Sequence, residues 1–347
     1  MIGQSARPLA PVAVDRRNFI RLAGASAAGW LALGASPDRV RVVASLIGLP
    51  LGDPLTNRSA PESVASRLSA LIQGMTERGW VEGVNVRYVT RSSFGGPAQQ
   101  ETAIREILAL NPDVILTSST IETAALTAAT KTIPIVFATA NDPVGNGFVE
   151  SLARPGGNVT GFTNSTAEMG GKWLQLLREA APGIARVGVL FNPATAPGAG
   201  RFFLDSIEAE AASMGVTVTP VPVNDATGID QAIRGYAGAP EGGLIALVDP
   251  FLVINRRAIA AAAAQHRVPV IYPFHYFIDV GGLMSYGASL EVRSADYVDL
   301  ILRGTRAGDL PVQSPRKYEL LINRKAADAL GLKLPATLLA RADEIRE

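Results

Sequence analysis

Short polar side chains gather just past the ends of apolar runs in this chain of 347 residues, where they suit a small charged solute. Ser118, Ser119 and Thr120 follow the run 113–116 and open a helical stretch, so their hydroxyls and the helix-terminal N–H groups fit a carboxylate. Asn141 and Asp142 follow the run 133–137, and Phe162 and Thr163 follow a turn-rich break at Arg154-Pro155-Gly156-Gly157-Asn158. Asn192 follows the run 186–190, and Asp249 closes the run 243–248. Asp142 and Asp249 suit a ligand ammonium, each charge-assisted hydrogen bond contributing about 1.5–3 kcal/mol. Phe162, Phe191, Phe251 and Tyr286 offer apolar walls. Each group has a plainer reading as a helix cap, an Asx-Pro turn or a core residue, and capping must account for at least one of residues 117–120. If the solute is an anion without an amine, Asp142 and Asp249 are turn formers only.

Catalytic motifs are absent. The chain has no G-x-S-x-G, no G-x-x-x-x-G-K-[ST], no H-E-x-x-H and no G-x-G-x-x-G after a strand. Its two histidines sit apart: His266 at a helix end, where a cation-capable ring suits the dipole, and His275 in an aromatic cluster, Tyr272 to Phe277. Cysteine is absent, which excludes disulfides, thiolate catalysis and Cys-ligated metals. Nothing calls for a cofactor or a metal, and the chain is not expected to be an enzyme.

The elements that must carry these groups alternate. Residues 41–47, 84–89, 113–116 and 133–137 read as strands, separated by helices over 61–78, 97–110 and 122–130. The same grammar recurs with strands at 186–190, 216–220, 243–248 and 268–271 and helices over 199–214, 228–236 and 252–265. Near-continuous Val, Ile and Leu runs fit parallel strands covered on both faces by crossover helices. The fold class is therefore α/β, with two doubly wound lobes. Chain crossings between lobes are expected at 154–158, at Gly281-Gly282 and at 308–311. The expected division is a leader over 1–36, one lobe over 40–155 and 284–308, and the other over 156–283 and 309–347.

Asp15-Arg16-Arg17-Asn18-Phe19-Ile20-Arg21, ahead of the Gly/Ala-rich apolar stretch 22–33, reads as a twin-arginine export signal. No later stretch approaches the roughly 18 apolar residues of a membrane helix. The rest of the chain is thus expected to work as a soluble periplasmic protein. A formal net charge of +1 gives no sign of a nucleic-acid surface. No heptad stripe argues against a monomer.

Several segments resemble one family: Gly79-Trp80-Val81-Glu82-Gly83, Asn111-Pro112-Asp113, Asp142-Pro143-Val144-Gly145, the stretch 151–161, Gly171-Lys172-Trp173-Leu174, Leu190-Phe191-Asn192-Pro193, the stretch 282–287 and Asp309-Leu310-Pro311-Val312-Gln313. These are similar to ABC-transporter substrate-binding proteins whose better-known members bind tryptophan and related amino acids. The resemblance implies a type I periplasmic binding fold with three hinge segments, a ligand pocket between the lobes, and a partner permease and ATPase. The expected ligand is an amino acid or related carboxylate, with Ser118, Ser119 and Thr120 at the carboxylate and Asp142 or Asp249 at an amine. An extracytoplasmic sensor binding a similar solute is the alternative, followed by an exported α/β enzyme. A cytoplasmic repressor of this fold needs a helix-turn-helix that residues 1–36 do not supply. Asp53, Asn57 and Arg58, in the stretch 49–60, have no assigned role.

Overall fold

A strand whose every side chain is apolar has to be covered on both faces, and this need organises the protein. The computed structural model describes residues 39–50, 64–237, 241–288 and 293–347. The Arg-Arg leader and Asp53, Asn57 and Arg58 lie outside the described residues.

Five parallel strands form the first sheet: β1 (Arg41–Ile47), β2 (Val86–Ser92), β3 (Val114–Thr117), β4 (Ile135–Phe137) and β5 (Val159–Gly161). Their order is β2-β1-β3-β4-β5. Alternate residues of one strand enter opposite cores, as the two-residue period of a strand demands. Val43, Val114 and Val136 face a cluster with Leu71 and Met75 of the helix Val64–Glu77 and Val298 and Ile301 of the helix Ser294–Leu302. Ala44, Ile115, Ile135 and Phe137 face the other side, against Ile104 and Ile107 of the helix Pro97–Ala109 and Leu126 of the helix Thr120–Ala129.

The second sheet has seven strands: β6 (Arg186–Phe191), β7 (Thr217–Pro222), β8 (Gly242–Ala246), β9 (Val270–Tyr272), β10 (Met284–Ala288), β11 (Tyr318–Asn323) and β12 (Glu344–Arg346). Its order is β12-β11-β10-β9-β8-β6-β7, parallel except where β10 meets β11. Trp173, fully buried on the helix Met169–Ala180, anchors its core and donates from Nε1 to the Tyr286 carbonyl at 2.7 Å. The expected single helix over 252–265 is two, Pro250–Ile254 and Arg256–Gln265, meeting at Asn255.

The two lobes follow the expected layout, but the chain crosses between them later than the turn signals indicate. β5 lies beyond the break at 154–158 yet belongs to the first sheet, so the first crossing begins at Phe162. β10 lies beyond Gly281-Gly282 yet belongs to the second sheet, while the helix Ser294–Leu302 packs on the first lobe. That sets the second crossing between Ala288 and Ser294. Leu310 and Val312 are buried in first-lobe cores, so the third crossing runs from Gln313 to Lys317. The first and third crossings pair with each other as extended chain, Thr163 N donating to the Gln313 carbonyl at 2.9 Å.

Replacing Trp173 by Ala removes the largest buried side chain of the second lobe and is expected to cost about 3–5 kcal/mol. Chemical denaturation checks this: the midpoint should fall, and an unchanged midpoint would contradict the packing described.

Candidate functional site

The carboxyl ends of both sheets face one another across a cleft, the place where open α/β sheets present ligand groups. From the first lobe the cleft takes Ser118, Ser119, Thr120, Thr139 and Asn141; from the second, Thr195, Asp249, Val253, Phe274 and Tyr276. A recess opens deeper, against the crossings. It is lined by Ser45 and Ile47 at the end of β1, Thr117, Phe162, Thr163, Arg293 and the segment 313–317. Ser118, Thr139 and Asn164 line both, so cleft and recess are neighbouring parts of one site.

The start of the helix Thr120–Ala129 is dominated by a residue the sequence reading passed over. Glu122 is buried there without a cation among the described residues. Its carboxylate accepts from Ser93 Oγ at 3.1 Å, from Ser119 Oγ, and more loosely from Ser118 Oγ at 3.4 Å. Burial holds this carboxyl above its ordinary range, and the serine hydroxyls pull it partly back. Gly48 makes the room: a Cβ there would lie 2.3 Å from Glu122 Oε1. Ser119 also caps the helix by accepting from Ile121 N at 3.2 Å, and Ser118 accepts from Gly48 N at 3.1 Å. Thr120 Oγ1 accepts from Asn141 N at 3.0 Å. Ser118, Ser119 and Thr120 line the cleft, but the two serine hydroxyls donate to Glu122. An incoming carboxylate at this helix end would find a carboxyl group already in place, which corrects the expected cradle.

Asp249 lies on the cleft wall but is 0% exposed. Oδ2 accepts from Asn192 N at 2.6 Å, while Oδ1 accepts from Phe251 N at 2.8 Å and from Thr195 Oγ1. It caps the helix Pro250–Ile254 and ties that helix to the loop after β6. Burial raises its pKa above the ordinary carboxylate value, against those hydrogen bonds. The expected ammonium contact is corrected on this ground: the carboxylate is engaged by the protein itself. Asn192 lines neither part of the site; Oδ1 accepts from Ala194 N at 2.8 Å and Nδ2 donates to the Asn224 carbonyl at 3.2 Å. Asp142 is a turn former with φ 44°, its Oδ1 accepting from Gly145 N at 2.9 Å, and it too is away from the site.

Asn141 lines the cleft, its Oδ1 accepting from Ser165 Oγ of the first crossing. Phe162 and Thr163 line the recess. Tyr286 does not; its ring stacks on Tyr318 at 5.9 Å within the second lobe. Phe191 and Phe251 likewise pack with the second-lobe core instead of walling the cleft. The aromatic surface comes instead from Phe274 and Tyr276, stacked with centroids 5.0 Å apart. They flank His275 in the cluster that the sequence already marked. Arg293, with its guanidinium 5.6 Å from the Phe162 ring centroid, was missed, and no local motif announces it.

The family model for the ABC transporter substrate binding protein matches residues 61–346. A tyrosine-binding protein of Clostridioides difficile (strain R20291) is 24% identical over 265 residues, covering 76% of this chain and 75% of its own. Among solved structures, a conserved domain protein from Vibrio cholerae superposes with a TM-score of 0.79 at 28% identity, over 89% of this chain and 100% of its own. An ABC domain from Streptococcus pneumonia in complex with L-Trp gives 0.78 at 21% identity, over 88% of this chain and 100% of its own. The chain belongs to the ABC transporter substrate-binding protein family and has the architecture of type I periplasmic binding proteins. The family is one of binding proteins, in keeping with the expectation that this is not an enzyme.

Glu122 makes the pH dependence testable. Its folded pKa is raised, so the folded chain binds a proton there more readily than the unfolded chain. Its stabilising effect is therefore complete at acid pH and lost as pH rises from the ordinary carboxylate range through the raised value. Glu122→Gln keeps a neutral group, so the variant's melting temperature relative to wild type should climb as pH rises from the ordinary carboxylate range to the raised value, as melting curves at successive pH values would show. A constant difference across that range would contradict the assignment.

Proposed function

We propose that this ABC transporter substrate-binding protein captures a small aromatic amino acid or a related aromatic carboxylate between its lobes and delivers it to a membrane permease powered by an ATPase. The observation that carries the proposal is the joined cleft and recess at opposed strand ends, with Phe162 from one lobe and Phe274 and Tyr276 from the other. Aromatic rings on both walls bury a planar solute well, since offset and edge contacts add to area burial by about 0.5–1.5 kcal/mol. The relatives support the same class: one is named for tyrosine, and another is solved with L-Trp.

Closure follows from two-wall contact. A solute touching both lobes binds the closed arrangement better than the open one, and only that difference shifts the population. The closed form then offers the permease a surface the open form lacks. We further propose export by the twin-arginine route to the periplasm, on the strength of Arg16-Arg17 and the small-residue apolar stretch 22–33. The receptor acts as a monomer in this reading, with no cofactor.

A thermal-shift panel of L-tyrosine, L-tryptophan, L-leucine and arabinose tests it. At about 100 times its dissociation constant a ligand stabilises the fold by about 2.7 kcal/mol. A saturable rise with the aromatic amino acids and none with arabinose is expected; a rise with arabinose alone would overturn the ligand class.

A further inference from the structure

Two facts about charge bear on how a solute sits in this site. The helix start that would ordinarily attract an anion carries Glu122, whose carboxyl accepts hydrogen bonds from the Ser118 and Ser119 hydroxyls. The recess next to it has the opposite character. No Asp or Glu is among its described lining residues, and Arg293, Arg316 and Lys317 all reach it. Lys317 is paired with Glu319 at 2.9 Å and Asp343 at 3.2 Å, and Arg316 is on the exposed third crossing. Arg293 differs from both. It is half-buried, it has no carboxylate partner among the described residues, and it is held over the Phe162 ring at 5.6 Å. Phe162 in turn packs on Tyr297 with centroids 4.8 Å apart, and Tyr297 is fixed by Gln313 Nε2 at 3.0 Å. The guanidinium thus has a positioned aromatic support and open space before it.

We propose that Arg293 is the anchor for the solute's carboxylate, and that the aromatic body of the solute extends from the recess toward Phe274 and Tyr276 in the cleft. This rests on the receptor reading above and names the residue that sets its charge preference. A guanidinium is planar and meets a carboxylate through two parallel N–H···O bonds, a fit that an ammonium group does not offer. Its half-buried place on an aromatic face strengthens the attraction relative to bulk water. Its location adds a second consequence. Arg293 ends the second crossing, Phe162 begins the first, and the segment 313–317 is the third. A carboxylate held there touches the segments that must bend when the lobes close, so charge recognition and closure share the same residues.

The test uses the full chain with three probes of one skeleton: L-tyrosine, 3-(4-hydroxyphenyl)propionate, which lacks the ammonium, and tyramine, which lacks the carboxylate. At least one of the two carboxylates is expected to bind by isothermal titration, with tyramine weaker by about tenfold or more. Arg293→Gln should weaken the carboxylate probe by at least about tenfold while the unliganded melting temperature stays near wild type, and Arg293→Lys should retain more affinity than Arg293→Gln. If tyramine binds as tightly as the carboxylates, or Arg293→Gln keeps wild-type affinity, the anchor is elsewhere and the receptor reading survives. If no probe binds, the aromatic receptor reading fails and takes the anchor with it.

Discussion

Phe162 and Gln313 form a parallel bridge of a single residue pair, and the cleft depends on it. Gln313 N donates to the Gly161 carbonyl and Thr163 N to the Gln313 carbonyl, both at 2.9 Å. Thr160 Oγ1 adds a bond to the Leu310 carbonyl at 2.6 Å from within the first lobe. These bonds hold the first and third crossings side by side at the carboxyl edge of the five-stranded sheet. Backbone groups in a narrow crossing must find partners, because unpaired buried N–H and C=O groups are costly. Pairing one crossing with the other meets that need with extended chain. Extended chain can change its dihedrals with little steric penalty, which is what a hinge requires.

Two buried acids shape the walls on either side of this hinge. Glu122 on the first lobe and Asp249 on the second each lie at a helix start, and each has its pKa raised chiefly by burial. Neither meets a cation among the described residues; each is satisfied by hydroxyls or backbone N–H groups. Such groups are poor sources of stability, because desolvation opposes the hydrogen bonds gained. Their effect is geometric. Glu122 joins the end of β1, the loop after β2 and the start of the helix Thr120–Ala129, while Asp249 joins the loops after β6 and β8. The strand-end loops are thereby held in place before a solute arrives, which lowers the ordering cost of binding.

The architecture was legible because parallel strands buried on both faces leave continuous apolar runs, and nearly every such run in this sequence became a strand. β5 was not, since three residues carry no periodic signal, and that omission displaced the first crossing. Glycine-rich breaks read locally as crossings, although they only turn the chain within a lobe. The candidate site was legible in part. Ser118, Ser119, Thr120, Asn141, Phe162, Thr163 and Asp249 come together at the strand ends as the pattern of polar residues after apolar runs implies. What the pattern could not disclose is which way each group faces. Asp249 reads locally as an exposed Asx-Pro turn, and only its contacts with Asn192 and Thr195, 57 and 54 positions away, make it a buried cap. Asp142 has the same local signature and remains a turn. Arg293 is invisible in one dimension because its significance comes from Phe162 across a crossing.

Closure of two lobes about paired crossings changes one interlobe distance, which can be measured directly. The chain contains no cysteine, so Glu101→Cys on the first lobe and Glu208→Cys on the second, both exposed, give two unique spin-label sites. Pulsed dipolar spectroscopy with and without saturating L-tyrosine or L-tryptophan should show the interlobe distance distribution narrow and its population shift to one state. An identical distribution in the presence of a solute that calorimetry proves to be bound would contradict the closure account.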